Sequence, residues 1–278
     1  MTLLVPAIAL AGSRDQKEIK RSYPVSGDAS AFVLAVENIQ GDVIIEGYEG
    51  RTIELSLNIT VDAYNQQELD QAMEELELDE ISADNHLLLR MKAPFVRYGF
   101  SKGIDGGGVQ CEGPDYRYAY DFKLRIPKGV LLRASTINDG RIRISDVAHV
   151  QHSSNINGPI VIDQVNETVN ISTINGNIDI TYASRPSKDG QFHTINGDIT
   201  LELPDDFTAQ VEAESMQGDL FSAFDYEVMP QKMQVSKEQG RKGMKYQIED
   251  KTVVKIGNST GPLFRFETLN GDMFLRKI

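Results

Sequence analysis

The chain has 278 residues, 40% of them hydrophobic, and a formal net charge of -13. This length is sufficient for a sizeable core in one or two domains. The acidic balance argues against nucleic acid and anionic membranes as partners, because both attract clusters of lysine and arginine. The single cysteine, Cys111, excludes an internal disulfide framework.

The first dozen residues, MTLLVPAIALAG, are apolar and contain Ala9-Leu10-Ala11, a pattern that signal peptidase accepts. A positively charged segment before them is missing. Two interpretations therefore stay open: residues 1–17 are a signal-peptide remnant with a linker, or they include a partly buried strand. Ser13 stands where a lipobox would carry its lipidated cysteine, so we expect no lipid anchor. No apolar stretch reaches 18 residues, and we expect no integral membrane segment.

The next elements follow from hydrophobic periodicity. Residues 32–36, 43–45 and 52–57 alternate or cluster apolar side chains as strands do. Residues 65–76 place Leu69, Met73 and Leu76 on one face of a short helix. Residues 77–92 indicate a hairpin around positions 83–85, and residues 120–127 a strand that leads into the second half of the chain.

A glycine-rich segment of about residues 94–119 interrupts this order with several aromatic residues. Long loops are often functional, and tyrosine and arginine are enriched at contact surfaces. We predict a candidate binding patch made of Phe95, Tyr98, Phe100, Tyr116, Arg117 and Tyr118. The alternative is that these rings fold back as a lid over the end of the repeats.

The second half of the chain repeats a short motif in which asparagine and glycine follow an aliphatic residue. From Gly140 to Gly218 the glycines are 18, 18, 21 and 21 residues apart. A further segment of about residues 224–250 then separates Gly218 from the last copy by 53 residues. The predicted corner and ladder residues are Asn157, Gly158, Asn175, Gly176, Asn196, Gly197, Gly218, Asn270 and Gly271.

The repeat predicts the fold. Apolar residues alternate on both sides of each corner, as in Val169, Ile171, Ile178 and Ile180, which indicates strands with one buried face. An Asn-Gly pair also suits a two-residue hairpin turn, but a constant period favours units that stack in parallel. We predict a mainly β protein: a parallel single-stranded β-solenoid (β-helix) of about 18 to 21-residue rungs, forming a single domain over residues 18–278. Stacked asparagines would bond along it as a ladder.

The order of these elements resembles the bacterial putative-adhesin domain family, whose relatives are called toastrack domains. The resemblance rests on residues 36–45, residues 122–129 and the rungs from Thr136 to Leu275. It covers nearly the whole chain after residue 18. It implies an extracytoplasmic β-helical protein of envelope or cell-surface type, and it offers no catalytic residues to carry over to this sequence.

Catalytic and metal-binding patterns are weak. His86, His149, His152 and His193 form no motif, and we place His152 at the inward position of Ile171. Cys111 lacks a neighbouring histidine. Asp42, Asn177, Asp198, Asp219 and Asp272 follow the repeat glycines and could line one edge, yet the repeat of calcium-binding β-rolls is absent. We expect no cofactor, no metal and no enzyme activity.

These observations favour a non-enzymatic, adhesin-like binding or scaffolding module in the periplasm or on the surface of a bacterium. Its expected partner is a surface glycan or an envelope protein. An envelope-stress or signalling domain is the first alternative. A polysaccharide lyase or hydrolase is the second alternative. Such an enzyme would need two or three carboxylates, or a carboxylate and a basic residue, in a groove beside the rungs. Self-association through bare solenoid ends is a further expectation.

Overall fold

The computed structural model describes residues 12–99, 109–229, 235–240, 243–248, 251–257 and 261–278, with only the backbone given for residues 235–240 and 243–248. Helix α1 is Gln66–Glu75, and a short 3-10 helix is Ala29–Ala31. The strands of the first half are β1 Ser13–Pro24, β2 Val33–Glu37, β3 Val43–Tyr48, β4 Thr52–Ala63, β5 Glu77–Ala83, β6 His86–Lys92, β7 Val96–Tyr98, β8 Val109–Cys111, β9 Arg117–Pro127, β10 Leu131–Thr136 and β11 Ile142–Ser145.

The strands of the second half are β12 His149–Asn157, β13 Ile160–Val165, β14 Glu167–Asn175, β15 Ile178–Tyr182, β16 Gly190–Asn196, β17 Ile199–Leu203, β18 Ala209–Gln217, β19 Leu220–Ser222, β20 Tyr226–Val228, β21 Val235–Gly240, β22 Gly243–Ile248, β23 Thr252–Ile256, β24 Leu263–Asn270 and β25 Met273–Lys277. The prediction of a mainly β protein is confirmed.

Two large sheets share one hydrophobic core. The first has the order β1-β4-β9-β3-β11-β13-β15-β17-β25-β19, and the second β20-β23-β18-β24-β16-β14-β12-β10-β2-β6-β5. We call them sheet A and sheet B. A strand of sheet B, a glycine corner and the next strand of sheet A form one rung. Seven rungs are stacked in the same order in both sheets, and their corners contain Gly41, Gly140, Gly158, Gly176, Gly197, Gly271 and Gly218.

The rungs pair in parallel and in register. Asn157 lies beside Asn175, Asn175 beside Asn196, and Asn196 beside Asn270. Glycine corners and parallel neighbours were both expected from the constant repeat. The order of the rungs was not expected, because the C-terminal rung β24–β25 lies between the rungs β16–β17 and β18–β19.

The sheets are mixed, whereas a parallel single-stranded β-solenoid with inserted hairpin or loop segments was predicted. Strands β1, β4 and β9 pair antiparallel at one end of sheet A. In sheet B, β5 pairs antiparallel with β6, and β23 with β18 and β20. Antiparallel strands need only short connections, so the chain can add them to both ends of the parallel stack.

The core consists of the inward side chains of both sheets. In β15, Ile178, Ile180 and Tyr182 are buried while the residues between them face outward. Val169, in contrast, is exposed, because Val169 and Asn170 both face outward where β14 runs beside β12. The strict alternation predicted on both sides of the corner therefore fails at this one position.

The inserted segments lie close to the predicted positions. Asn65 caps helix α1 by accepting a hydrogen bond from the Glu68 N–H at 2.9 Å. Strands β5 and β6 form the hairpin expected at residues 77–92. Residues 13–17, assigned above to a linker, lie in β1, which pairs with β4 over its whole length. Residues 1–11 lie outside the described part of the chain.

Candidate functional site

Each rung turns at a glycine that lies directly against the rung before it. A Cβ atom on Gly176 would come within 2.3 Å of the carbonyl oxygen of Gly158, and one on Gly197 within 2.0 Å of that of Gly176. Atoms do not approach so closely, so these corners accept only glycine while the strands keep their spacing. In the second rung one extra residue, Asp139, adopts a left-handed conformation with φ of 48°.

In six of the seven described rungs, a buried polar residue three or four positions before the glycine fastens the corner. Thr173 Oγ1 donates to Gly158 O at 3.0 Å, and Thr194 Oγ1 to Gly176 O at 3.1 Å. Asn155 makes the equivalent bond to Gly140 O at 2.8 Å. In the seventh rung, the buried Ser215 Oγ has no partner in the described structure.

The asparagines before the glycines form a ladder on the outside of the corners. Their Nδ2 atoms donate to the Oδ1 atoms of the previous rung at 2.7 to 3.2 Å. We call this row the Asn ladder; its members are Asn138, Asn157, Asn175, Asn196 and Asn270. A side-chain amide has two N–H groups and an oxygen with two lone pairs. Each asparagine of the row therefore has a donor or acceptor left over that could bond to a ligand.

An aliphatic row lies next to the ladder and faces solvent. Ile156 is 38% exposed, Ile174 37%, Leu269 39% and Met216 77%, while Ile195 is half-buried. We call these five residues the corner stripe. Successive members lie side by side on adjacent strands, in the order Ile156, Ile174, Ile195, Leu269, Met216.

The stripe is exposed only in part of the stack. Its counterpart in the first rung, Ile39, is 3% exposed, and Ile137 of the second rung is partly buried against the core. Contiguous exposed apolar rows are uncommon on soluble proteins and commonly mark interaction sites. The stripe was not predicted from the sequence, because the repeated motif was assigned to the scaffold. The signal was present, since each stripe residue directly precedes the asparagine or glutamine of its corner.

Two members of the predicted aromatic patch lie in the core, and Phe95 and Tyr98 are half-buried. Tyr116 and Tyr118 are 9% and 7% exposed, and they continue into the fully buried Tyr120 and Phe122. The Tyr118 ring lies 6.3 Å from that of Tyr120 and 5.6 Å from that of Phe95. Tyr118 lies in β9, whose alternate residues face the core, and Tyr116 directly precedes this strand on the same side. The rings of Tyr116 and Tyr118 therefore fold inward, in agreement with the lid interpretation.

Polar contacts fix the rest of this cluster. The Tyr98 hydroxyl donates to Met91 O at 2.7 Å, and Arg90 lies 4.0 Å above the Tyr98 ring. The Tyr116 hydroxyl donates to Glu75 at 3.2 Å. Burial raises the pKa of the Tyr98, Tyr116 and Tyr118 hydroxyls above the usual tyrosine value. Arg117 is exposed, and Phe100 lies outside the described residues.

The histidines and the cysteine form no reactive group with one another. Ser153, not His152, pairs with the inward Ile171, since Ser153 and Ile171 are each five residues before their glycine. Burial lowers the pKa of His86 and of His149. Cys111 is exposed, and its Sγ lies 3.7 Å from the Tyr118 hydroxyl.

The acidic row after the corner glycines bonds to the backbone. Asn177 Oδ1 accepts from Asp198 N at 3.0 Å, Asp198 Oδ1 from Asp272 N at 2.9 Å, and Asp272 Oδ1 from Asp219 N at 2.9 Å. Among the described residues, no group of three or more histidine, cysteine or acidic side chains is arranged to hold a metal ion.

A groove crosses the outer face of sheet A. It consists of two cavities of about 480 and 520 Å³ that share Ile44, Ser56 and Lys123 in their walls. Glu18, Asp42 and Asp121 line the first of them. Asp42 forms an ion pair with Arg141 at 2.9 Å, and Asp121 accepts a hydrogen bond from Asp42 N at 3.0 Å. The groove combines carboxylates with basic side chains.

Comparison with solved structures finds relatives of low sequence identity. A putative cell adhesion protein from Clostridium sporogenes is 12% identical, with a TM-score of 0.47 over 95% of this chain and 100% of that one. A putative adhesin from Bacteroides fragilis is 11% identical, with a TM-score of 0.38 over 94% of this chain and 97% of that one. No curated protein matches the sequence.

Within the described residues, no helix is long and apolar enough to cross a membrane. The sequence profile of a family described as Toastrack DUF4097 matches residues 28–262. This range includes the antiparallel strands β4, β5 and β9 and six of the seven glycine corners, without the Gly271 corner. The family resemblance inferred from the repeats is confirmed: the chain belongs to the Toastrack DUF4097 family.

Proposed function

We propose that this protein is a non-enzymatic, adhesin-like binding module of the bacterial cell envelope, and that it recognises a glycan or a protein through the corner stripe and the Asn ladder. The observation that carries the proposal is a row of aliphatic side chains in register on five successive rungs, four of them exposed and Ile195 half-buried. Their exposure leaves apolar area in water that a partner would cover. The adjacent amides supply hydrogen-bonding groups at the same repeat.

The rigidity of the site supports this role. The corner glycines are in backbone contact, and threonine or asparagine side chains bond most corners to the previous rung. A surface that is already ordered loses little conformational entropy on binding. An extracytoplasmic location is part of the proposal and is supported by the apolar segment that ends at Ala9-Leu10-Ala11.

The test compares wild-type protein with Ile174→Thr/Leu269→Thr as immobilised bait for envelope extract of the native host and for a glycan panel. Threonine keeps β-propensity while it removes apolar area. Ile81→Thr is the matched control, because Ile81 is 42% exposed on β5 at the far edge of sheet B. We expect the stripe variant to lose the partner and the control to retain it. Equal retention by all three proteins would refute a role for the stripe.

A polysaccharide lyase or hydrolase is the second candidate, favoured by the groove on sheet A. Lys123 lines both of its cavities, and the carboxylates of Asp42 and Asp121 are nearby. Incubation with uronic-acid polymers tests this candidate. Cleavage that is lost in Lys123→Met and retained in Ile174→Thr/Leu269→Thr would establish the enzyme and contradict the non-enzymatic proposal.

A further inference from the structure

The charges beside the corner stripe differ along its length. On the two rungs that carry Ile156 and Ile174, the outward residues next to the stripe are uncharged: Ser154, Ser172, Asn157, Asn175, Pro159 and Asn177. Around Leu269 and Met216, acidic side chains lie on both sides, whereas Ile195 has Asp198 on one side and His193 on the other. This part, which we call the acidic half, contains Ile195, Leu269 and Met216.

The first acidic row lies two residues before the stripe. Glu267 and Glu214 occupy this position on adjacent strands, about 7 Å from the stripe residue of the same strand. Glu214 Oε2 is 3.5 Å from Lys251 Nζ. Glu267 Oε2 is 3.3 Å from His193 Nδ1, which is an ion pair only while the histidine is protonated.

The second acidic row lies on the other side of the Asn ladder. Asp198, Asp272 and Asp219 directly precede the adjacent strands β17, β25 and β19 and follow one another in that order. The Oδ1 atoms of Asp198 and Asp272 accept a backbone N–H, and their Oδ2 atoms stay available. No lysine or arginine in the described part of the chain lies within ion-pair distance of these three carboxylates.

We propose that the acidic half of the stripe docks a basic amphipathic helix of a protein partner, an inference that rests on the proposed binding role of the stripe. The aliphatic row of such a helix would cover Ile195, Leu269 and Met216. Lysine or arginine residues on its two flanks would then face the two acidic rows. Charge complementarity of this kind selects the partner and speeds association.

The repeat of the stripe matches a helix better than an extended strand. Adjacent strands are about 4.8 Å apart, and one turn of an α-helix advances about 5.4 Å. Over the two steps from Ile195 to Met216 the mismatch is about 1 Å. Same-face residues of an extended strand are about 6.8 Å apart, so their mismatch with the stripe reaches about 4 Å over the same two steps.

The experiment measures fluorescence anisotropy of a synthetic 18-residue amphipathic peptide, with leucine once per helical turn and lysine on both flanks, against the full chain. A second peptide carries glutamate in place of each lysine. The charge variant is Asp198→Asn/Asp272→Asn/Asp219→Asn. Asparagine retains the Oδ1 acceptor, as Asn177 shows by accepting from Asp198 N. The control variant removes three exposed charges elsewhere: Glu74→Gln, Asp84→Asn and Asp115→Asn.

We expect the lysine peptide to bind and the glutamate peptide not to bind. The charge variant and Leu269→Thr should each weaken binding at least tenfold, while the control variant changes it less than twofold. Thermal unfolding checks that each variant is folded, and Asp272→Asn alone replaces the charge variant if the triple change unfolds it. Equal binding of both peptides, or binding that Leu269→Thr leaves unchanged, would overturn the helix proposal.

Two further outcomes separate this inference from the proposed function. A neutral glycan that binds through Ile174 and Leu269, with no binding of the lysine peptide, would overturn the helix proposal and leave the binding role of the stripe intact. Concentration-dependent light scattering that disappears in Leu269→Thr would show that a second copy of the chain covers the stripe, which also overturns it. If neither stripe substitution affects any ligand, both proposals fail.

Discussion

The side-chain nitrogen Nδ2 of Asn196 donates to Oδ1 of Asn175 at 2.8 Å, although the two asparagines are 21 residues apart in the chain. Asn270 Nδ2 donates in turn to Asn196 Oδ1 at 2.7 Å. Since the ladder bonds occur at an exposed corner, water can replace them. Their contribution to stability should therefore be modest, and their main effect is to fix the side chains next to the stripe.

The ladder gives the first prediction. Asn196→Ala removes two ladder bonds and should lower the free energy of unfolding by about 1 kcal/mol. Asn270→Ala removes its single ladder bond and should cost less. Urea unfolding of both variants and wild type checks the order. A larger loss for Asn270→Ala would contradict the assignment of Asn196 to the interior of the ladder.

The corner glycines give a second prediction. In Gly176→Ala the new Cβ would meet Gly158 O at 2.3 Å, so the backbone of two rungs must move apart. We expect a loss of about 1 to 3 kcal/mol or more, as in other overpacked sites. Gly113→Ala is the control, because nothing lies within 4 Å of its Cβ position. Similar unfolding midpoints for the two variants would show that the rungs are not in close contact.

The aromatic cluster gives a third prediction. Tyr118→Ala should lower stability by about 3 to 5 kcal/mol, since it removes a large buried ring. The exposed Arg117→Ala should change it by less than about 0.5 kcal/mol. Thermal or urea unfolding distinguishes them. A stable Tyr118→Ala protein that had lost partner binding would restore the recognition patch predicted from the sequence.

The buried tyrosines give a fourth prediction, for alkaline pH. Burial raises the pKa of Tyr98, Tyr116, Tyr118, Tyr120 and Tyr182 in the folded state. Above the unfolded tyrosine value of about 10, the folded state therefore binds more protons than the unfolded state. Stability is retained below that pH and falls as the pH rises further.

Ultraviolet absorbance of tyrosinate and circular dichroism, followed together from pH 9 to 13, check this prediction. The larger part of the tyrosinate signal should appear in the same transition as the loss of β structure. Ionisation of most tyrosines in a chain that keeps its β signal would show that these rings are accessible to hydroxide.

The repeats could be read from the sequence because every corner has the same local requirement. Only glycine fits at Gly176 and Gly197, and the buried Thr173 and Thr194 recur at the same distance before them. The position of the C-terminal rung could not be read in this way. Its pairing with β16 and β18 depends on packing between distant segments, which leaves no mark on the spacing of residues.

The candidate site was predictable only in part. The ladder follows from aligned asparagines, but the outward direction of Ile174 requires the inward position of Thr173 to be known. The inward direction of Tyr116 and Tyr118 could have been predicted from the sequence. Together with Tyr120 and Phe122 they occupy every second position, as residues on one face of a strand do. The glycine-rich composition of the preceding segment obscured that alternation.

Site-specific photo-cross-linking in the native host tests the binding role of the corner stripe most directly. A photoreactive residue would replace Ile174 or Leu269 in the stripe, Lys123 in the sheet A groove, or Ile81 as the control. We predict the same partner adduct from positions 174 and 269 and none from positions 123 and 81. Adducts from position 123 alone, or equal adducts from all four positions, would contradict it.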